Sequence, residues 1–216
     1  MTPLERFNNL PARVRDEILD KHRNWNVDHI EWWDGVYDDF KHDMDAIGIE
    51  VDKMYFSGFW SQGDGACFEG RVSNWHDFLT SLGYKDTALI NHAADHFRFY
   101  VEHRGLYYHE NCTSFSSDLC VPDSADDQDF AERYGPYPWD ADCVRTAAWM
   151  ALLNEYDSSK LEDEFEDAFK DHMRTLYSSL EAEYDHLTSD ESVLEALDAN
   201  GMLEELIEEF MESEDA

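Results

Sequence analysis

The chain has 216 residues and a formal net charge of −34, from 50 Asp and Glu against 16 Lys and Arg. That field repels phosphate backbones, which excludes direct DNA or RNA binding over most of the surface and favours basic partners such as a cation, salt or the positive groove of another protein. Hydrophobic residues at 43% and aromatics at 14% suffice for a core and exclude a disordered acidic tail. No apolar run approaches a membrane span, and the first residues, MTPLERFNNL, lack a secretory leader's basic start and apolar run.

The expected organisation is one α+β domain over 1–200 with an acidic amphipathic tail over 201–216. It is mainly helical, on a small antiparallel sheet of about three strands near 54–60, 66–72 and 106–115. Cys67, Cys112, Cys120 and Cys143 show no C-x-x-C spacing, so no zinc frame and no cofactor is expected, and a reduced cytoplasm is the simplest setting.

In chain order, Thr2-Pro3-Leu4-Glu5 reads as a helix start with N-cap, Pro at N1 and Glu at N3. Pro11 restarts a helix through PARVRDEILDKHR, with Val14, Ile18 and Leu19 as its apolar stripe. Asp28 to Gly48 reads as the next helix, with Ile30, Trp33, Tyr37, Phe40, Met44 and Ile47 recurring at three- and four-residue steps. Trp32 and Trp33 are adjacent, so one of them must lie at the edge of the core.

Residues 54–72, MYFSGFWSQGDGACFEGRV, read as a hairpin whose Gly63 and Gly65 can take a positive φ. Alternation puts Met54, Phe56, Gly58, Trp60, Ala66, Phe68, Gly70 and Val72 on its apolar face. Tyr55, Ser57, Cys67, Glu69 and Arg71 lie on the other. Residues 75–104 read as helical with a break near Gly83. Within them His92 and His96 are four residues apart and can share a metal, but Ala93 stands where a zinc-protease helix has Glu.

LYYHENCTSF, 106–115, reads as a third strand on which His109 and Glu110 point to opposite faces and cannot act as an acid–base pair. Residues 116–140 read as a long acidic surface loop without the spacing of a calcium site. Residues 141–156 read as an apolar helix. Ser159 with Glu162 opens a helix to Leu187 with the stripe Leu161, Phe165, Phe169, Met173, Leu176, Tyr177, Leu180, Tyr184 and Leu187. Thr188 with Glu191 reads as another capping box, and Gly201 as a stop. The glycines of SQGDG suggest a phosphate cradle, but no helix and no Lys follow, so a structural turn is the simpler reading.

The segments LPARVRDEILDKHRNWNVDHIEWWDGVYDDF, IEVDKMYFSGFWSQGDGACFEG, HRGLYYHENCTSF and MRTLYSSLEAEYDHLTSDESVLEALDANG resemble phage and prophage proteins labelled "antitoxin of toxin–antitoxin stability system". The acidic 116–140 segment and the tail after Gly201 depart from that pattern. The resemblance implies a phage-encoded protein of the host cytoplasm and supplies no catalytic residues.

The expected function is a non-enzymatic accessory protein that binds and neutralises a host protein with a basic surface, of antitoxin or anti-defence type. Its acidic helices would imitate DNA, with Asp34, Asp38, Asp39, Glu162 and Glu166 as the partner surface. One alternative is a small enzyme or ligand-binding protein using Ser57, Gln62, Asp64, Glu69, Tyr107 and His109. Another is salt adaptation alone, since 28 Asp, 22 Glu and 10 Arg accompany only 6 Lys.

Overall fold

The computed structural model describes residues 2–28, 31–119 and 156–214. The expected helix over 141–156, except its last residue, and most of the 116–140 loop lie outside the described residues, as do Cys120 and Cys143. Two units are formed, one from 1–36 with 178–216 and the other from 37–177.

In the first unit, α1 (Pro3–Asn8) starts on the expected capping box, with Thr2 Oγ1 accepting from the Glu5 amide at 3.2 Å and Glu5 Oε2 accepting from the Thr2 amide at 2.9 Å. Helix α2 (Ala12–Lys21) follows, and α7 (Asp190–Ala199) and α8 (Leu203–Glu214) come from the far end of the chain. Phe7, Val14, Ile18, Leu19, Val193, Leu197, Leu203, Leu206 and Ile207 form its buried core, so α8 packs into it through Leu203, Leu206 and Ile207. Arg6 bridges to Glu204 at 2.8 Å, and Arg23 is held by Asp20 and Asp190. The cap of α7 is Ser189, accepting from the Ser192 amide, one residue beyond the expected Thr188. Trp32 packs edge-on against both Trp33 and Tyr184, and both tryptophans are half-buried.

The second unit is helices on one four-stranded antiparallel sheet, ordered β1 (Ile49–Ser57), β2 (Gly65–Val72), β3 (Arg98–His103), β4 (Thr113–Asp118). The α+β expectation stands, with four strands rather than three. Helix α3 (Asp34–Ala46) precedes the sheet, α4 (Trp75–Ser81) and α5 (Thr87–His96) join β2 to β3, and α6 (Ser158–Leu187) follows it.

The apolar stripe of α6 is buried at Leu161, Phe165, Phe169, Met173, Leu176 and Leu180, while Tyr177, Tyr184 and Leu187 are half-buried. Phe169 lies 5.6 Å from Phe68, 5.8 Å from Phe78, 5.2 Å from Phe99 and 6.2 Å from Phe115, ring centre to ring centre. Phe165 meets Trp75, Phe78 and Phe99 in the same way. This aromatic layer covers one face of the sheet, and Phe40 of α3 joins it on Phe68.

Three expectations are corrected. Residues 98–103 are strand, not the end of a helix: Phe99 and Val101 are buried while Arg98, Tyr100 and Glu102 are exposed, a period of two. The expected strand at 106–115 begins only at Thr113, because residues 104–112 form a loop closed by the Arg104 amide donating to the Cys112 carbonyl at 2.7 Å. Trp60 does not face the core but is 75% exposed, since β1 ends at Ser57 and strand alternation stops there.

Candidate functional site

The polar end of the β1–β2 hairpin meets the 104–112 loop, and this junction holds most of the predicted ligand residues. Asp64 turns the chain back: its Oδ2 accepts from the Trp60 amide at 3.0 Å and the Ser61 amide at 2.6 Å. Gly63 has φ +98°, as its place in the turn requires. Gly65 is needed for another reason than a positive φ. A Cβ there would stand 2.7 Å from the Tyr108 carbonyl oxygen, so only glycine lets the loop close on the strand. Asp64→Ala removes two hydrogen bonds from backbone donors, and a loss of about 1–2 kcal/mol is expected in a urea melt, with partial recovery in Asp64→Asn.

Beyond the turn, Tyr55 stacks on Tyr108 at 5.2 Å and 11°, and His103 lies 5.2 Å from Tyr55 and 5.1 Å from Tyr108. Glu69 is bridged by Lys53 at 3.1 Å, and that hydrogen bond raises the Lys53 pKa. Burial raises the Tyr55 pKa, with the Glu69 charge adding to it. Burial also pushes the Cys67 thiol up to about 12, with smaller contributions from Cys112 and Glu69, so it stays protonated and is no nucleophile near neutral pH.

The loop brings together what a regular strand would have parted. His109 caps a short 3-10 turn, Glu110–Cys112; its Nδ1 accepts from the Asn111 amide at 3.1 Å and lies 2.8 Å from Glu110 Oε2. Arg174 of α6 donates from Nε to Glu110 Oε1 at 3.3 Å. His109 Nδ1 is occupied by the Asn111 N–H or, when it carries a proton, by the Glu110 carboxylate, and either contact ties the loop together.

Ser57 Oγ is buried without a hydrogen-bond partner among the described residues, Gln62 is exposed, and Tyr107 is 58% exposed against Gly63. Asp64, Glu69 and His109 are thus committed to internal partners. A groove of about 910 Å³ lies in the first unit, lined in part by Arg13, Asp16, Glu209 and Phe210, and none of the six predicted ligand residues lines it. His92 and His96 lie with ring centres 4.5 Å apart and their planes tilted by 35°, and His92 is buried against Phe97. Among the described residues no group of three or more His, Cys, Asp or Glu is placed to hold a metal.

The predicted partner surface divides. Glu162 accepts from Ser117 at 2.5 Å and Glu166 from Lys170 at 3.2 Å. Asp34, Asp38 and Asp39 are exposed on α3. Asp43 and Asp45, on the same helix, are exposed too; their sequence signal was the excess of Asp along 34–45.

A family model described as a domain of unknown function, DUF8835, matches residues 32–190, about three quarters of the 216-residue chain. The chain belongs to this family. The matched segment covers the whole second unit, including the hairpin, the 104–112 loop and the acidic face of α3. No curated protein and no solved structure matches the chain. No helix among the described residues is long and apolar enough to cross a membrane.

Proposed function

We propose that the protein is a non-enzymatic accessory protein that binds and neutralises a factor with a basic, nucleic-acid-binding surface. Asp38, Asp39, Asp43 and Asp45 of α3 carry this reading: all are exposed, and none forms an ion pair among the described residues. Less the one cation Lys41, they leave about one net charge per 3.5 Å of axis at ~1.5 Å per residue. That is close to the ~3.4 Å per charge along one DNA strand. Asp38 and Asp45 lie on one stripe of the helix, Asp39 and Asp43 on another.

The last turn of α3 carries Asp43 and Asp45 and no basic residue, where the helix dipole favours cations by a few tenths of a kcal/mol each. Local stability therefore does not account for them. The resemblance to phage antitoxin-labelled proteins supports a phage-encoded product acting on a host protein in the host cytoplasm, as an antitoxin or anti-defence factor. The commitment of Asp64, Glu69 and His109 to structural bonds weighs against the enzyme alternative.

The experiment is a competition in which the protein is titrated into a complex of duplex DNA with a basic DNA-binding protein. Displacement of the DNA at low salt is expected, and no displacement at low salt would count against the proposal.

A further inference from the structure

The tip of the hairpin and the 104–112 loop beside it leave three large apolar side chains in solvent: Trp60 at 75%, Leu106 at 90% and Tyr107 at 58% exposed. They are grouped. The Tyr107 ring stands 3.1 Å from where a Cβ on Gly63 would be, and Trp60 is bound through its amide to Asp64 of the same turn. Trp60 is held from behind, edge-on to Phe59 at 6.0 Å, and Phe59 in turn meets Tyr177 at 5.6 Å.

The fold does not need these side chains outside. The aromatic layer beneath α6 is complete with Phe68, Phe99, Phe165 and Phe169, all buried. A grouped and braced apolar patch has the character of an interaction site, unlike a scattered exposed leucine.

We infer that Trp60, Leu106 and Tyr107 form a docking surface for an arginine-bearing basic segment of a protein partner. The inference rests on the reading given under Proposed function and names where that partner is gripped. Charge complementarity selects the occupant. At −34 the chain repels a second copy of itself, nucleic acid and anionic membranes, and attracts cationic protein segments. Arginine suits the patch better than lysine because its planar guanidinium is weakly hydrated and stacks on indole and phenol rings. Trp, Tyr and Arg are also the residues that most often dominate interface energies.

The test titrates the full chain with an octa-arginine and an octa-lysine peptide at low salt. The native protein is expected to prefer octa-arginine by roughly fivefold, the scale of one or two exposed cation–π contacts. Trp60→Ala combined with Tyr107→Ala should abolish that preference while leaving octa-lysine binding unchanged, and Trp60→Phe should retain part of it. Both side chains lie largely in solvent, so the melting temperature should hold and report that the fold is intact. A preference that survives in the double variant, or none in the native protein, overturns the docking surface and leaves the acidic-surface reading standing. Binding of neither peptide overturns both.

Discussion

Phe169→Ala is expected to remove about 3–5 kcal/mol of folding stability, the range for deleting a fully buried phenylalanine. The side chain has no solvent exposure and touches rings from β2, α4, β3 and β4. Those rings come from segments far apart in the chain, so no single neighbour can swing in to fill the space. The lost contacts and the residual cavity then add. A protein of this kind is stable by only about 5–15 kcal/mol, so the variant should unfold at markedly lower urea concentration. Phe169→Leu, which keeps most of the volume, should lose clearly less. A loss below about 1 kcal/mol in Phe169→Ala would mean that the sheet and α6 are not packed through this layer.

The second large effect concerns binding. Changing Asp38, Asp39, Asp43 and Asp45 together to Asn removes four charges with almost no change of shape. Exposed ion pairs are each worth about 0.2–1 kcal/mol, so four lost to a basic groove should weaken binding by about 2 kcal/mol, or roughly thirtyfold. Folding stability should stay level or rise, because self-repulsion falls and the last turn of α3 no longer opposes its dipole. The opposite signs separate the two roles. Unchanged affinity for a basic DNA-binding protein would remove α3 from the contact surface, and a large loss of stability would show these carboxylates to be structural.

Much of the architecture is legible where one period dominates. The α6 stripe from Leu161 to Leu180 is buried at every expected step but Tyr177, which is half-buried, because a three–four spacing over many turns has one solution. The hairpin pairing also follows from alternation, with Met54 opposite Phe68 and Phe56 opposite Ala66. The strand at 98–103 was hidden because it follows α5 with only Phe97 between and no glycine or proline to mark the change. Its six residues are too few for a period of two to outweigh the helical run before it.

The 104–112 loop misled in the other direction. Tyr107, His109, Asn111 and Thr113 alternate like a strand, yet His109 caps a turn through the Asn111 amide, a local side-chain bond that competes with a ladder. The candidate residues Asp64, Glu69 and His109 were visible as polar types. Their commitment to Trp60 and Ser61, Lys53, and Glu110 and Asn111 was not, because those bonds depend on how the loop closes over the hairpin. The exposed tip escaped notice because the strand period was carried past Ser57, where the backbone leaves the sheet.

Displacement of duplex DNA from a basic DNA-binding protein, followed as salt is raised, tests the central claim most directly. A groove that neutralises the four α3 carboxylates should lose on the order of a hundredfold in affinity between about 50 and 200 mM salt, on the slope that governs phosphate contacts. The account predicts strong displacement at the low end, falling steeply across that interval and reduced in the Asn variant. Absence of displacement at every salt concentration would contradict it and leave the acidity as adaptation to a salt-rich setting.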